Sequence, residues 1–214
     1  NNCPLWATCL GFEFLAMMEL KEDEIFQNFR NKSILEKTKA NNLKSNIIPI
    51  NSFKKVFDIN SSILKKAKGQ KSLYYNHNFG YIFDNKTIKF MKDNNFEILS
   101  VNYDKNRVKY IGTIKSENHN IYGTQWHPEK VIFEWKIKET LHSPISIKLS
   151  QEFSNFFIAK CRDYKSEKEF GLEQEKWLIY NYDLYSYNKI KTVFKEDKYF
   201  KMLNDNFDQF YLIR

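Results

Sequence analysis

Residues 4–13 read PLWATCLGFE, and this stretch decides the fold. Residues 4–8 form a short apolar run of the kind that builds a strand, and from Gly11 onward the apolar residues recur at the spacing of a helix face. Cys9 therefore lies in a sharp turn between a strand and a helix, where Gly11 relieves crowding. A turn of this kind pushes the side chain of Cys9 beyond the edge of the sheet and exposes its sulfur.

Cys9 is the candidate nucleophile of the chain. Its position predicts a reactive thiolate, because a helix N-terminus favours negative charge and lowers the pKa of a thiol. The backbone N–H of the next residue, Leu10, is placed to serve as an oxyanion donor. A buried structural cysteine is the alternative interpretation, and we assign a structural or incidental role to Cys3 and Cys161. An odd number of cysteines without Cys-x-x-Cys spacing supports neither a zinc site nor a disulfide framework.

The second motif is YGTQWHPEK at residues 122–130. His127 and Glu129 are two positions apart, and residues at that spacing project to the same side of an extended backbone. The carboxylate can then hold the imidazole in one tautomer, which makes His127 a general base with its own orienting group. A surface histidine and a locally paired carboxylate are the alternatives. With Cys9 about 120 residues upstream, order and spacing predict a catalytic triad of Cys9, His127 and Glu129.

The rest of the chain alternates strand-like and helix-like segments, as in an α/β domain. Strands are predicted at residues 47–50, 73–75, 96–103, 108–115, 121–126, 177–182 and 209–213, and helices near 53–67 and over 145–162. Of the 214 residues 42% are hydrophobic, which is enough apolar matter for one globular core. We therefore predict a single domain over residues 1–214.

Charge and hydropathy narrow the classes of function. The formal net charge is +8, but the lysines are spread along the whole length and are not tied to a nucleic-acid recognition motif. We interpret them as a solvated surface with no nucleic-acid partner, although an anionic small substrate would suit the charge. No uninterrupted run of about 18 apolar residues is present, so no membrane span is predicted. The first residues contain no signal-like segment.

The two motifs resemble those of the gamma-glutamyl hydrolases, the peptidase branch of the class I glutamine amidotransferase superfamily. The similarity rests on TCLGFE at residues 8–13 and YGTQWHPEK at residues 122–130, followed by FEW at residues 133–135. The narrower signal is Glu13, where glutamine amidotransferases usually place a glutamine. The segment NHNF at residues 76–79 is similar to the family's histidine-bearing substrate-binding loop. The similarity also extends to two closing strands, LIY at 178–180 and FYLI at 210–213.

The resemblance implies a three-layer αβα sandwich with a mostly parallel central sheet. It also implies cleavage of gamma-linked glutamate from folylpoly-gamma-glutamates through a thioester at Cys9, with water as the second reactant and neither a metal nor an organic cofactor. His77 and Glu13 become candidate substrate-binding residues, although an acid at Glu13 also stabilises a helix N-terminus without any function. The family resemblance further implies a lysosomal, vacuolar or secreted location and allows a homodimer.

Only eight residues precede Cys9, whereas the family carries early strands and a Gly-rich loop with a second oxyanion donor before its nucleophile. The sequence contains no Gly-Gly pair. We therefore expect a partial domain that lacks the family's N-terminal third. Two alternatives stay open: a glutamine amidotransferase (glutaminase) domain that passes ammonia to a synthase, and an inactive truncated homologue.

Overall fold

The computed structural model of this chain describes residues 3–17, 34–164, 171–182, 184–186 and 209–211. These residues belong to two compact units: the first comprises residues 1–132 and 139–164, and the second comprises residues 133–138 and 165–214. Every site residue predicted from the sequence lies in the first unit. The prediction of a single domain over residues 1–214 stays a prediction.

Helices and strands alternate along the described chain. The helices are α1 (Leu10–Met17), α2 (Phe53–Phe57), α3 (Ser61–Gly69), α4 (Asn85–Asp93), α5 (Lys130–Phe133), α6 (Pro144–Asp163) and α7 (Leu172–Glu175). The strands are β1 (Leu5–Thr8), β2 (Leu35–Lys37), β3 (Leu43–Ser45), β4 (Ile48–Pro49), β5 (Leu73–Tyr75), β6 (Phe79–Tyr81), β7 (Phe96–Tyr103), β8 (Lys109–Ser116), β9 (Ile121–Thr124), β10 (Leu184–Ser186) and β11 (Gln209–Tyr211).

The main sheet of the first unit has five strands in the order β1-β9-β8-β7-β4. β1 and β9 run parallel, and the other three pairings are antiparallel. Short loops at residues 104–108 and 117–120 reverse the chain between β7, β8 and β9, and such hairpins can only join antiparallel strands. Over the described strands the sheet is therefore mixed rather than mostly parallel.

Helices cover both faces of this sheet, in three layers. One face carries Trp6, Leu99, Tyr110 and Tyr122, which pack with apolar side chains of α2, α3 and α6. The opposite face packs with α1 and α4, and with β2 and β6, which form a separate two-stranded sheet. Neighbouring residues on a strand contribute to opposite faces, as the pleat of a strand requires. The predicted αβα layering is thus present in the first unit.

Aromatic rings make up much of the first face. The ring of Phe153, on α6, lies 4.9 Å from those of both Phe57 and Trp126, with the planes tilted at large angles. Edge-on contacts at this separation are the preferred arrangement of aromatic pairs. Trp126 is almost fully buried and its Nε1 donates to Thr113 Oγ1 at 3.1 Å, so this tryptophan is a packing residue.

The helix predicted near residues 53–67 is two helices. α2 ends at Asp58, whose φ of 46° is left-handed. α3 then begins after Asn60, whose side chain accepts from the backbone N–H groups of Ser62 and Ile63. A left-handed residue stops one helix, and a capping asparagine starts the next. The helix α4 was missed by the sequence analysis, although Asp84 caps it by accepting from Thr87 N at 2.7 Å.

The strand predicted at residues 177–182 is wrong. Ile179–Asn181 form a short 3-10 helix, and the Asn181 side chain donates to the carbonyl of Glu175. Trp177 is 77% exposed and has no strand partner among the described residues. Apolar and aromatic content alone therefore misled the prediction, because a strand also needs a neighbour. The strand predicted at 209–213 is confirmed for Gln209–Tyr211, which pair with Leu184–Ser186, and the remainder lies outside the described residues.

A search of the described helices finds none with the length and apolar character to cross a bilayer.

Gly123, in β9, is required by the close approach of α1 to the sheet. A Cβ at this position would lie 2.8 Å from Phe12 Cδ2 and 3.3 Å from atoms of both Leu15 and Ile114. Gly123→Ala is expected to lower the free energy of unfolding by about 1–3 kcal/mol, because the packed helix must shift. Urea denaturation measures this change.

The matched control is Gly69→Ala in α3. A Cβ there meets nothing within 4 Å. This substitution is expected to be neutral or to stabilise the fold by about 0.4–1 kcal/mol, because alanine has fewer unfolded conformations. If Gly123→Ala and Gly69→Ala lowered the free energy of unfolding equally, the packing explanation for Gly123 would be contradicted.

Candidate active site

Cys9 lies at the junction of β1 and α1, as the sequence predicts. Its φ of 53° places it in the left-handed region. Its N–H donates to Thr124 O at 2.8 Å, and its carbonyl accepts from Glu13 N at 3.0 Å. The first bond continues the pairing of β1 with β9, and the second is the first turn of the helix. Cys9 is therefore fixed on both sides at a strand-to-helix elbow and is only partly buried.

The thiol of Cys9 is protonated at rest, which differs from the expectation of a lowered pKa. Burial, and next the carboxylate of Glu13, raise the pKa of the thiol to about 11. The backbone N–H of Leu10 and the charge of Lys130 lower it, as expected at a helix N-terminus, but these two effects are smaller. Local backbone geometry alone therefore does not generate the thiolate, and a base must take the proton.

His127 and Glu129 form the expected pair. His127 Nδ1 lies 2.7 Å from Glu129 Oε1. A carboxylate can only accept, so Nδ1 carries the hydrogen of this bond, and in the neutral form of the ring Nε2 has the lone pair. The backbone N–H of His127 donates to Tyr74 O at 2.9 Å, and this bond holds the loop after β9. His127 is 12% exposed and Glu129 is 50% exposed.

The pairing of β1 with β9 brings the two motifs together. Thr8 and Thr124 are register partners in these parallel strands, and each strand then leads directly into its motif. The carboxyl ends of neighbouring parallel strands lie about 4.8 Å apart. The Cys9 thiol points to Asn76 O at 3.8 Å, and no hydrogen bond joins it to His127 among the described residues. Resting cysteine sites often tighten only around substrate.

His77 is buried rather than open to solvent, with 5% of its surface exposed. Its Nδ1 lies 2.6 Å from Phe79 O and 3.0 Å from Thr38 Oγ1, and its ring packs 4.9 Å from that of Tyr110. Burial lowers its pKa to about 4, so the imidazole is neutral at physiological pH. Nε2 has no hydrogen-bond partner in the described part of the chain. The substrate-binding role of His77 stays a prediction.

Glu13 is also buried, at 6% exposure, one helical turn after Cys9. Its Oε1 accepts from Gln125 Nε2 at 2.9 Å, and the same amide nitrogen lies 3.9 Å from Cys9 Sγ. Burial raises the pKa of Glu13 to about 7, although the bond from Gln125 opposes this. The structure therefore links Glu13 to Cys9 through Gln125, and the predicted contact of Glu13 with substrate stays a prediction.

Sequence reasoning missed the parts that Gln125, Lys130 and Asn76 play around Cys9. Gln125 and Lys130 belong to the quoted YGTQWHPEK motif, and Asn76 begins the quoted NHNF segment. Their roles depend on which atoms face the sulfur, and that depends on tertiary packing. Lys130 is nearly buried and its Nζ lies 5.8 Å from the centre of the Tyr74 ring. No group of three or more histidine, cysteine or acidic side chains with metal-binding geometry occurs among the described residues.

A layered α/β unit with a cysteine elbow beside a histidine–glutamate pair defines the class of protein. Residues 1–138, more than half of the chain, match the family model of glutamine amidotransferase class-I. The chain therefore belongs to the class-I glutamine amidotransferase family. The match agrees with the αβα fold class predicted from the sequence.

Within this family the chain is similar to gamma-glutamyl hydrolases. It is 31% identical to "Probable gamma-glutamyl hydrolase 3" of Arabidopsis thaliana over 85% of this chain and 50% of the relative. It is 31% identical to "Gamma-glutamyl hydrolase B" of Dictyostelium discoideum (84% and 50%) and 28% identical to "Gamma-glutamyl hydrolase" of Bos taurus (84% and 54%). These relatives confirm the resemblance drawn from the motifs. The chain spans about half the length of the curated relatives it matches.

Among solved structures, the chain resembles a putative GMP synthase component from Thermoplasma acidophilum. The two are 17% identical, the similarity covers 77% of this chain and 60% of the other, and the TM-score is 0.39. That score is too low to support a comparison of the two sites.

Glu13→Gln is expected to stabilise the fold in a pH-dependent way. The unfolded chain releases the Glu13 proton near its ordinary pKa of 4.5, whereas the folded chain holds it until about 7. The folded state therefore loses stability as pH rises through this interval. At about pH 8 the neutral variant should be more stable by about 1–3 kcal/mol, because no charge is buried.

Urea unfolding at about pH 4 and about pH 8 measures this difference. At the lower pH both proteins are neutral at this position, so the gain should nearly vanish. The control is the exposed Glu117→Gln, which should change stability by under about 0.5 kcal/mol at either pH. If Glu13→Gln stabilised the fold equally at both pH values, the explanation by a buried negative charge on Glu13 would be contradicted.

Proposed function

We propose that this chain carries the nucleophile and the base of a cysteine hydrolase that cleaves gamma-glutamyl bonds of folate poly-gamma-glutamates. The observation that carries the proposal is the juxtaposition of Cys9, at its elbow, with the hydrogen-bonded pair of His127 and Glu129. The relatives are gamma-glutamyl hydrolases by name, which supports this type of bond.

The proposed reaction begins with proton transfer from Cys9 Sγ to His127 Nε2. The transfer is needed because the thiol has a pKa of about 11 and is neutral at rest. Glu129 accepts from Nδ1–H and stabilises the imidazolium that forms. The sulfur then attacks the gamma-carbonyl carbon, and the oxygen gains charge that the Leu10 N–H can stabilise as an oxyanion donor.

Collapse of the tetrahedral intermediate breaks the carbon–nitrogen bond. His127 gives the proton to the departing amine of glutamate, and the remaining acyl group is held as a thioester on Cys9. Water then attacks the thioester while His127 takes its proton. The carbon–sulfur bond breaks, and the proton returns to the sulfur. Each proton that leaves is returned, so the cycle requires no cofactor.

The surroundings of Cys9 support an anionic substrate. Lys130 is close enough to lower the pKa of the thiol, and a gamma-linked glutamate retains a free carboxylate beside the scissile bond. The net charge of +8 also attracts an anionic substrate, at longer range. We keep His77 as a candidate substrate contact, since its buried Nε2 is an acceptor without a partner among the described residues. We keep Glu13 as a second candidate.

A glutaminase is the second candidate function, because the matched family is named for glutamine amidotransferases. Both reactions attack the gamma-carbonyl of a glutamyl group, and only the leaving group differs: ammonia in one, an amino acid in the other. From the family resemblance we also propose a lysosomal, vacuolar or secreted location, and a homodimer as one assembly to test. The substrate and its chain length are part of the same proposal.

The test is cleavage of a folate poly-gamma-glutamate by the full-length protein, followed by chromatography of released glutamate. Cys9→Ala should lower kcat/KM by about a thousandfold or more, because the acyl-enzyme cannot form. Glu129→Gln should lower it less, since the histidine and the nucleophile remain.

Cys161→Ala is the matched control, since Cys161 is an exposed cysteine on α6. It should retain the parent rate. Ammonia release from glutamine without cleavage of the polyglutamate would favour the glutaminase instead. Full cleavage by Cys9→Ala would refute the cysteine mechanism for both.

A further inference from the structure

Gln125 is a polar residue beside Cys9 that has no exposed surface. It follows β9, and its backbone N–H donates to Gly112 O at 2.9 Å, so its position on the sheet is fixed. Its side-chain Nε2 lies 2.9 Å from Glu13 Oε1 and 3.9 Å from Cys9 Sγ. A single amide nitrogen, with two hydrogens, therefore faces two groups that can carry negative charge.

Glu13 determines which end of the amide faces the sulfur. An ionised carboxylate only accepts hydrogen bonds, so it selects Nε2 and would be repelled by Oε1. The side-chain oxygen of Gln125 is left without a hydrogen-bond partner among the described residues. An unsatisfied buried carbonyl costs free energy. The amide of Gln125 keeps this orientation although its Oε1 is unsatisfied. The hydrogen bond from Nε2 to Glu13 therefore outweighs the cost of leaving Oε1 without a partner.

We propose that Gln125 is a positioning residue that presents an N–H donor to the thiolate of Cys9, and that Glu13 orients this donor. A hydrogen bond to the charged form of a group stabilises that form. The contact of 3.9 Å with the neutral thiol is long, and it shortens when the sulfur becomes an anion. Glu13 thus has two opposite effects on the Cys9 thiolate. Its negative charge destabilises the thiolate, whereas its hydrogen bond to Gln125 orients the donor that stabilises the thiolate.

The charged and titratable groups around the pair are few. Cys9 is influenced by Glu13, Lys130 and Glu129. The carboxyl of Glu13 is bonded by Gln125, while the Tyr81 hydroxyl donates to the backbone oxygen of Glu13. Because the pKa of Glu13 is about 7 and that of Cys9 is about 11, Glu13 is ionised throughout the range in which the thiol ionises. The orientation of Gln125 is therefore held while the thiolate forms.

This inference rests on the proposed function only in making Cys9 the nucleophile. The effect of Gln125 and Glu13 on the Cys9 thiolate does not depend on substrate. Alkylation of the thiol measures this effect directly. Failure of the hydrolase assay and absence of this effect are therefore separate results.

The experiment measures the rate of iodoacetamide alkylation of Cys9 between about pH 7 and about pH 9.5 in the full-length protein. The parent protein carries Cys3→Ser and Cys161→Ser, which remove the two exposed thiols. The variants are Gln125→Met, Glu13→Gln and the two together. Circular dichroism confirms that each is folded.

Gln125→Met keeps the shape of the side chain and removes the donor. The pKa of the thiol should rise by about one unit, which lowers the thiolate fraction about tenfold. The alkylation rate should fall by only about threefold, because a more basic thiolate is the better nucleophile. A loosened core would instead expose Cys9 and raise the rate. In the Glu13→Gln background, Gln125→Met should lower the alkylation rate by less than half as much, because a glutamine at position 13 both donates and accepts and no longer selects the Nε2 end of Gln125.

Thr124→Val is the matched control, since Thr124 is equally buried, adjoins Gln125 and has a hydroxyl without a partner among the described residues. It should leave the alkylation rate unchanged. The proposal is overturned if Gln125→Met does not slow alkylation, or if it slows alkylation equally with and without Glu13.

Discussion

The parallel pairing of β1 with β9 is the interaction on which the rest of the structure depends. These strands are far apart in sequence, and their register sets Thr8 against Thr124. One residue beyond that pair the chain turns at Cys9, and on the neighbouring strand it continues into Gln125 and then His127. The bond from Cys9 N to Thr124 O extends the ladder into the elbow itself. Cys9 is thus held by the sheet rather than by a loop.

The same pairing explains how the site can be both packed and reactive. Gly123 lets α1 lie close against β9, and this close approach buries Glu13 next to Cys9. Burial raises the pKa of both groups, which leaves the resting site with a neutral thiol. In the proposed mechanism, His127, held by Glu129, supplies the base that the helix end alone does not provide. The proposed reactivity therefore depends on both motifs together.

Much of this could be predicted from the sequence, because the two motifs combine local signals with a fixed order. The elbow at Cys9 follows from a strand pattern that changes to a helix pattern, and the bond between His127 and Glu129 follows from their spacing. The ionisation state of Cys9 could not be predicted in the same way. It is decided by desolvation and by Glu13, both of which arise from packing of α1 on the sheet.

The wrong and missed predictions from the sequence also arise from tertiary packing. Residues 177–182 have the composition of a strand but no strand partner among the described residues, and Ile179–Asn181 form a short 3-10 helix instead. The helix near residue 53 was predicted as one element because its apolar spacing is nearly continuous across Asp58. The role of Gln125 was missed inside a motif that was itself recognised, since a motif specifies residue types but not which atom of a buried amide faces a sulfur.

The left-handed backbone at Cys9 has a consequence for how this fold can evolve. A residue with a side chain at a φ of 53° is strained by about 1–3 kcal/mol, and glycine adopts that conformation without the penalty. Selection for thermal stability alone would thus favour glycine at the position of the proposed nucleophile. If Cys9 is the nucleophile proposed above, the strained backbone at this position is a cost in stability that the chemistry of the site imposes.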